Sequence, residues 1–223
     1  ILGVSSEGAS LCYTTICSIA FEKLGKYHHP EISTHTLPLI EYMKCLETDD
    51  WIGIGNLMLA SLHKLAAIGA DFAICPDNTV HYAYPLIVNK SPIPFISIVE
   101  TTAQECKNRG YKKVGILGTK YTMQGSLYKD ALSALSINSM VPDETDQQIV
   151  NSVIFDELVP GKITKKSSIP LLKIIDKLKD SGCDSVILGC TELPIVVDQS
   201  ESNLPVIDTT RLLARRALEH ACS

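Results

Sequence analysis

AAIGADFAICPDNTVH, residues 66–81, and KDSGCDSVILGCTELP, residues 179–194, follow one pattern. In each, a Gly-x-Asp (Gly69-Ala70-Asp71 and Gly182-Cys183-Asp184) leads into a short apolar run. The run ends in small polar residues, Asp77-Asn78-Thr79 in the first and Cys190-Thr191-Glu192 in the second. Two further pairs flank this one. Ile1-Leu2-Gly3 answers Ile116-Leu117-Gly118, and Pro94-Phe95-Ile96-Ser97 answers Pro205-Val206-Ile207-Asp208. Three pairs in the same order, at offsets of about 111 to 115 positions, predict two similar lobes. Two such lobes facing each other would present one reactive group to each side of a small molecule.

Working outward, apolar runs rich in Val, Ile and Leu predict strands at 1–4, 31–37, 71–75, 93–98, 113–118, 185–189 and 205–208. Amphipathic stretches between them predict helices at 8–25, 50–69, 99–109, 122–135, 145–159, 168–181 and 209–221. In the helix at 168–181, Ile169, Leu172, Ile175 and Leu178 read as its apolar stripe. The alternation defines an α/β fold, with two similar lobes that are each a mostly parallel sheet flanked by helices. No Gly/Ser-rich linker separates the halves. The expected division is 1–97 plus about 209–223 for the first lobe and 98–208 for the second. Ligands in such folds bind beyond the carboxyl ends of strands, which singles out Ser5-Ser6, Asp77-Asn78-Thr79, Thr119 and Cys190-Thr191-Glu192.

Bulk composition narrows the function classes. The 223 residues are 45% hydrophobic and 20% charged, which is that of an ordinary globular protein. A net charge of −5 without a basic stripe argues against nucleic acid. Lys165-Lys166 and Arg211, Arg215 and Arg216 read as solvated helix faces. No apolar run approaches the roughly 20 residues that span a bilayer. The opening ILGVSSEGAS lacks a basic n-region and reads as a strand entering a turn rather than a secretory leader. Eight cysteines without CxxC spacing, several inside apolar runs, are expected to be thiols in a reducing cytoplasm. Cys and His never reach zinc-ligand spacing, so no metal is expected.

The chain resembles the cofactor-independent aspartate/glutamate racemase family, and within it the broad-specificity amino-acid racemases. The residues that carry the likeness run almost end to end. They are Gly3 to Ser10, Asn78-Thr79-Val80-His81, Leu117 to Met123, Ile154 to Leu158 followed by Gly161, and Leu188-Gly189-Cys190-Thr191-Glu192. The resemblance implies a racemase or epimerase that inverts Cα without a cofactor, with the active site between the lobes and a homodimeric assembly. A base removes the Cα proton on one face and an acid returns one on the other. In the family these are usually two cysteines, one from each lobe.

Cys190 matches the second-lobe cysteine. In the first lobe the reactive position, immediately before Asn-Thr, is Asp77. A carboxylate with an ordinary pKa near 3.9 accepts a proton without activation but is a poor donor at neutral pH, so an asymmetric Asp77/Cys190 pair is expected. Cys75, two residues earlier and deeper along the predicted strand, is the alternative first-lobe base. Ser5, Ser6, Asn78, Thr79, Thr119, Thr191 and Glu192 are the expected substrate-binding residues. Thr191 and Glu192 would bind the ammonium or orient Cys190, and Glu192 also reads as a plain first-turn helix acid. Val4 and Ser5 depart from the family's Gly-Gly-Met-Ser opening. His81 reads as packing behind the site. Family members specific for aspartate carry an Arg beyond the second strand, whereas Thr36 to Glu41 contains no basic residue, so a neutral or broad range of amino acids fits as well as an acidic one. Two rival functions share these residues: isomerisation or decarboxylation of a small dicarboxylic acid, and non-catalytic carboxylate binding.

Overall fold

A computed structural model describes every residue except Ile163, and every side chain except those of Ile163 and Lys165. The Lys165 half of the basic pair therefore lies outside the described side chains. The chain divides into two compact units, Ile1–Thr101 with Thr210–Ser223, and Thr102–Thr209.

In the first unit, β1 (Leu2–Gly3) leads into α1 (Ser6–Leu24). Ser5 caps that helix, its Oγ accepting from the Gly8 amide at 3.1 Å. Gly25 ends it at φ +98°, a left-handed conformation that glycine adopts without a Cβ clash. β2 (His35–Thr36) pairs parallel with β1, and α2 (Leu39–Glu47) and α3 (Trp51–Ala67) follow. Asp50 caps α3 by accepting from Gly53 N at 2.8 Å. Then come β3 (Ala73–Ile74), a 3-10 turn Thr79–Ala83, α4 (Tyr84–Ile87) and β4 (Phe95–Ile96), which pairs parallel with β3. Leu2, Tyr42, Ile54, Met58, Leu62 and Cys75 belong to this unit's core.

The chain passes into the second unit within α5 (Ile98–Asn108). β5 (Lys113–Gly118), α6 (Lys120–Gln124), α7 (Leu127–Ala134), β6 (Asn138–Met140), α8 (Glu144–Ser152), a π-helical stretch Val153–Leu158, α9 (Lys165–Asp180), β7 (Ser185–Gly189), α10 (Leu193–Val196) and β8 (Val206–Asp208) follow. The four strands form one parallel sheet in the order β6-β5-β7-β8. Leu117, Val150, Ile154, Leu171, Ile175 and Leu188 lie in its core. α11 (Thr209–Ala221) then carries the chain back to the first unit. There His220 stands edge-on to Phe72 with ring centroids 4.6 Å apart, and Glu219 reaches Lys23 of α1 at 3.8 Å.

The parallel α/β architecture expected from the strand–helix alternation is present. Several local expectations differ, beginning with the first-unit strands, which are shorter than expected: His35–Thr36 within 31–37, Ala73–Ile74 within 71–75 and Phe95–Ile96 within 93–98. The stretch 122–135 is two helices rather than one, with a break at Gly125-Ser126. The stretch 145–159 changes from α to π at Val153. On α9 the buried residues are Leu171, Ile174, Ile175 and Leu178, while Ile169 is 51% exposed. The expected stripe took three steps of three residues, and each such step turns about −60° on a 3.6-residue helix. Three of them carry the last residue half-way round. The observed i, i+3, i+4, i+7 set stays on one face.

Candidate functional site

In the first unit, β3 ends at Ile74, so Cys75, Pro76 and Asp77 follow the strand rather than alternate along it. Cys75 is fully buried in the core. Burial, reinforced by the nearby Asp77 carboxylate, pushes its thiol far above the ordinary range. Asp77 is half-buried at the end of the turn. Its Oδ1 accepts from the Val80 amide at 3.2 Å, so the carboxylate also caps the 3-10 turn Thr79–Ala83. Asn78 is buried and Thr79 is half-buried.

His81 fixes this turn from behind. Its Nδ1 lies 2.7 Å from the carbonyl oxygen of Asp77, and its Nε2 lies 3.3 Å from the amide of Ile98 at the start of α5. A carbonyl only accepts and an amide only donates. The imidazole must therefore be neutral, with its proton on Nδ1. Burial agrees, since it lowers the pKa to about 4. His81 is thus a strut between the residue-77 backbone and the β4–α5 junction. The sequence placed it behind the site, but nothing in its spacing showed which backbone groups it holds.

In the second unit, Gly118 and Gly189 are register partners at the ends of β5 and β7. The next residues, Thr119 and Cys190, therefore leave neighbouring strand ends together. The buried Thr122 lies across both glycines: a Cβ on either would come to 2.9 Å from its side chain. Only glycine at both ends lets the first turn of α6 settle this close. Thr119 Oγ1 lies 3.4 Å from Thr122 Oγ1.

Cys190 is 8% exposed, Thr191 7% and Glu192 6%, so three polar groups share one buried turn. The Cys190 thiol donates to Glu192 Oε2 at 3.0 Å, and Thr191 Oγ1 donates to the same oxygen at 2.7 Å. Glu192 precedes α10 as its N-cap, but its side chain makes no capping bond there. It turns to its neighbours instead.

The structure thus brings Asp77, Asn78 and Thr79 together in one unit and Thr119, Cys190, Thr191 and Glu192 together in the other. Ser5 belongs to the cap of α1. The hydroxyl of the exposed Ser6 donates to Glu7 Oε2 at 2.9 Å.

Two units, each built of parallel strands flanked by helices, define an α/β protein of two similar parts. The sequence profile of the Asp/Glu/hydantoin racemase family matches residues 1–217, and the chain belongs to that family. The broad-specificity amino-acid racemase RacX of Bacillus subtilis is 30% identical over 152 residues, covering 68% of this chain and 65% of that protein. A glutamate racemase of Limosilactobacillus reuteri is 26% identical over 170 residues, covering 74% and 60%. The matched stretch spans just under two thirds of these two relatives. Among solved structures, an aspartate racemase homologue from Pyrococcus horikoshii superposes with a TM-score of 0.89 at 27% identity, over 100% of this chain and 99% of that one. The resemblance read from the motifs is borne out at the level of family and fold.

Proposed function

We propose that the protein is a cofactor-independent amino-acid racemase or epimerase that inverts Cα with Asp77 and Cys190 as its two proton-transfer groups. The observation that carries this reading is the buried Cys190–Thr191–Glu192 turn beside Thr119, in a chain that belongs to the racemase family. One group takes the Cα proton, the C–H electron pair passes into the substrate carboxylate, and the other group delivers a proton to the opposite face. The carbanion is tolerable only if that carboxylate is held by preorganised donors. Asn78, Thr79, Thr119 and Thr191 are the residues assigned to it. Cys75 is set aside as the first base, because a fully buried core thiol held far above its ordinary pKa neither reaches a substrate nor ionises readily.

The absence of a basic residue in Thr36 to Glu41 supports neutral or mixed amino acids over strictly acidic ones. A homodimer and a cytoplasmic location belong to the same reading, and sedimentation and fractionation test them. The test of activity is Cα proton exchange in D2O, followed by NMR on a panel of L- and D-amino acids that includes aspartate and glutamate. Exchange with inversion is expected. Isomerised or decarboxylated product, or binding without exchange, would replace this reading.

A further inference from the structure

We infer that Asn151 is the positioning residue for Thr119: it caps α6 in that residue's place and so leaves the Thr119 hydroxyl to the substrate carboxylate. This deepens the racemase reading and rests on its assignment of Thr119. A threonine at the N-cap of a helix ordinarily spends its side-chain oxygen on an amide of its own first turn. Thr119 holds the N-cap position of α6. Its backbone is extended, with φ −63° and ψ 165°, and its carbonyl accepts from Met123 N at 3.0 Å. Yet its side chain makes no capping bond. Asn151 of α8 supplies one from outside, its Oδ1 accepting from the Lys120 amide at 3.0 Å. The N-cap of α1 does the opposite, since Ser5 Oγ accepts from Gly8 N of its own helix at 3.1 Å.

Asn151 can serve this way because α8 is anchored from other directions. Val150 and Val153 beside it are buried in the core of the second unit. Asp143 caps α8 by accepting from Asp146 N at 2.9 Å, and the buried Asp146 carboxylate takes Lys177 Nζ of α9 at 2.7 and 2.9 Å. Among the described residues, the hydrogen-bond neighbour of Thr119 Oγ1 is Thr122 Oγ1 at 3.4 Å. That is longer than the roughly 2.5–3.0 Å of a settled hydroxyl pair. The hydroxyl therefore keeps its one strong donor for an anion. Thr119 and Cys190 leave neighbouring strand ends, because Gly118 and Gly189 are register partners. A carboxylate on Thr119 is thus held beside the group that exchanges the Cα proton. Asn151 touches no substrate atom in this arrangement.

The test is a double-mutant cycle on the intact chain. Asn151→Ala removes the outside acceptor, and the Thr119 side chain should then turn to the amides of its own first turn, as an ordinary N-cap does. Cα exchange, read as kcat/KM for an amino acid that the D2O panel identifies, should fall by about 10-fold while the urea midpoint hardly moves. Thr119→Val should show the same fall. In the Thr119→Val background, Asn151→Ala should cost no further exchange but should lower the urea midpoint clearly, because neither residue is left to cap α6.

Equal effects of Asn151→Ala in the two backgrounds, on exchange or on the midpoint, overturn the inference. So does a lower midpoint with unchanged exchange in the single Asn151→Ala variant, which is the signature of a plain structural contact. The midpoints need no racemase activity. If they couple while the unaltered protein exchanges no amino acid, Asn151 remains the cap that spares Thr119, and the racemase reading falls instead.

Discussion

Asp77 and Cys190 stand at equivalent points of the repeat, yet the two turns hold them by opposite means. The first turn is built on the backbone: Asp77 Oδ1 takes an amide, and His81 bridges the Asp77 carbonyl to the Ile98 amide. The second is built on side chains: thiol and hydroxyl both donate to one carboxylate oxygen of Glu192. His81 holds the backbone at residue 77 whatever side chain stands there, so that side chain can be exchanged with only its cap to replace. A group held through its own side-chain contacts cannot. That difference gives a reason for an acid to stand in the first unit while the second keeps its cysteine.

The largest effect expected from this comparison is on Cys190. Cys190→Ser should cut Cα exchange by roughly 10²–10⁴-fold, since a hydroxyl keeps the hydrogen bond to Glu192 but is a far weaker acid. Residual rates close to those of the intact protein, in the NMR assay, would remove Cys190 from the chemistry.

Asp77→Asn should lower exchange by about 10²-fold or more while leaving the thermal midpoint almost unchanged, because asparagine caps the turn as aspartate does. Asp77→Ala should lose the same activity and about 1 kcal/mol of stability as well. If the two variants matched in both assays, the capping and proton-transfer roles would not be separable.

His81 gives the first unit a pH signature of its own. Its folded pKa of about 4 lies below the ordinary 6.5, so the unfolded chain binds the proton more readily. The stability it contributes is fully present above pH 6.5 and is lost as the pH falls towards 4, by on the order of 3 kcal/mol. Urea unfolding between those pH values should show that slope, and His81→Gln should flatten it.

The smallest effect belongs to Cys75. Cys75→Ala removes a buried sulfur from the first core, costs about 1–2 kcal/mol, and should leave Cα exchange within about two-fold. A loss comparable to that of Asp77→Asn would return Cys75 to the reaction.

Much of this was legible from residues alone. The repeat gave the two-lobed parallel fold, and β5 and β7 were expected at their observed bounds because Val-Gly-Ile-Leu-Gly and Ser-Val-Ile-Leu-Gly are continuous buried runs. β6 was missed because Asn138-Ser139-Met140 is an edge strand with neither alternation nor β-branched residues. α4 and α10 were missed because each is one turn long and carries a proline, Pro85 and Pro194, which reads as a breaker until it falls in the first turn. The Cys190–Glu192 bond joins positions two apart. On a strand such side chains share a face about 6–7 Å apart, so the contact behind the orienting role read for Glu192 comes from the turn's path. Asp77 was singled out because it stands immediately before Asn78-Thr79; the alternation that put Cys75 deeper on the same side needed the strand to continue, and β3 stops at Ile74.

The last helix, α11, packs on the first unit although more than a hundred residues of the second unit are made before it. The second unit is one uninterrupted stretch, so it can close as soon as β8 has left the ribosome. The first unit must wait in an incomplete state, with the neighbourhood of Phe72 and Lys23 uncovered until His220 and Glu219 arrive. The chain of the first unit is therefore completed after that of the second.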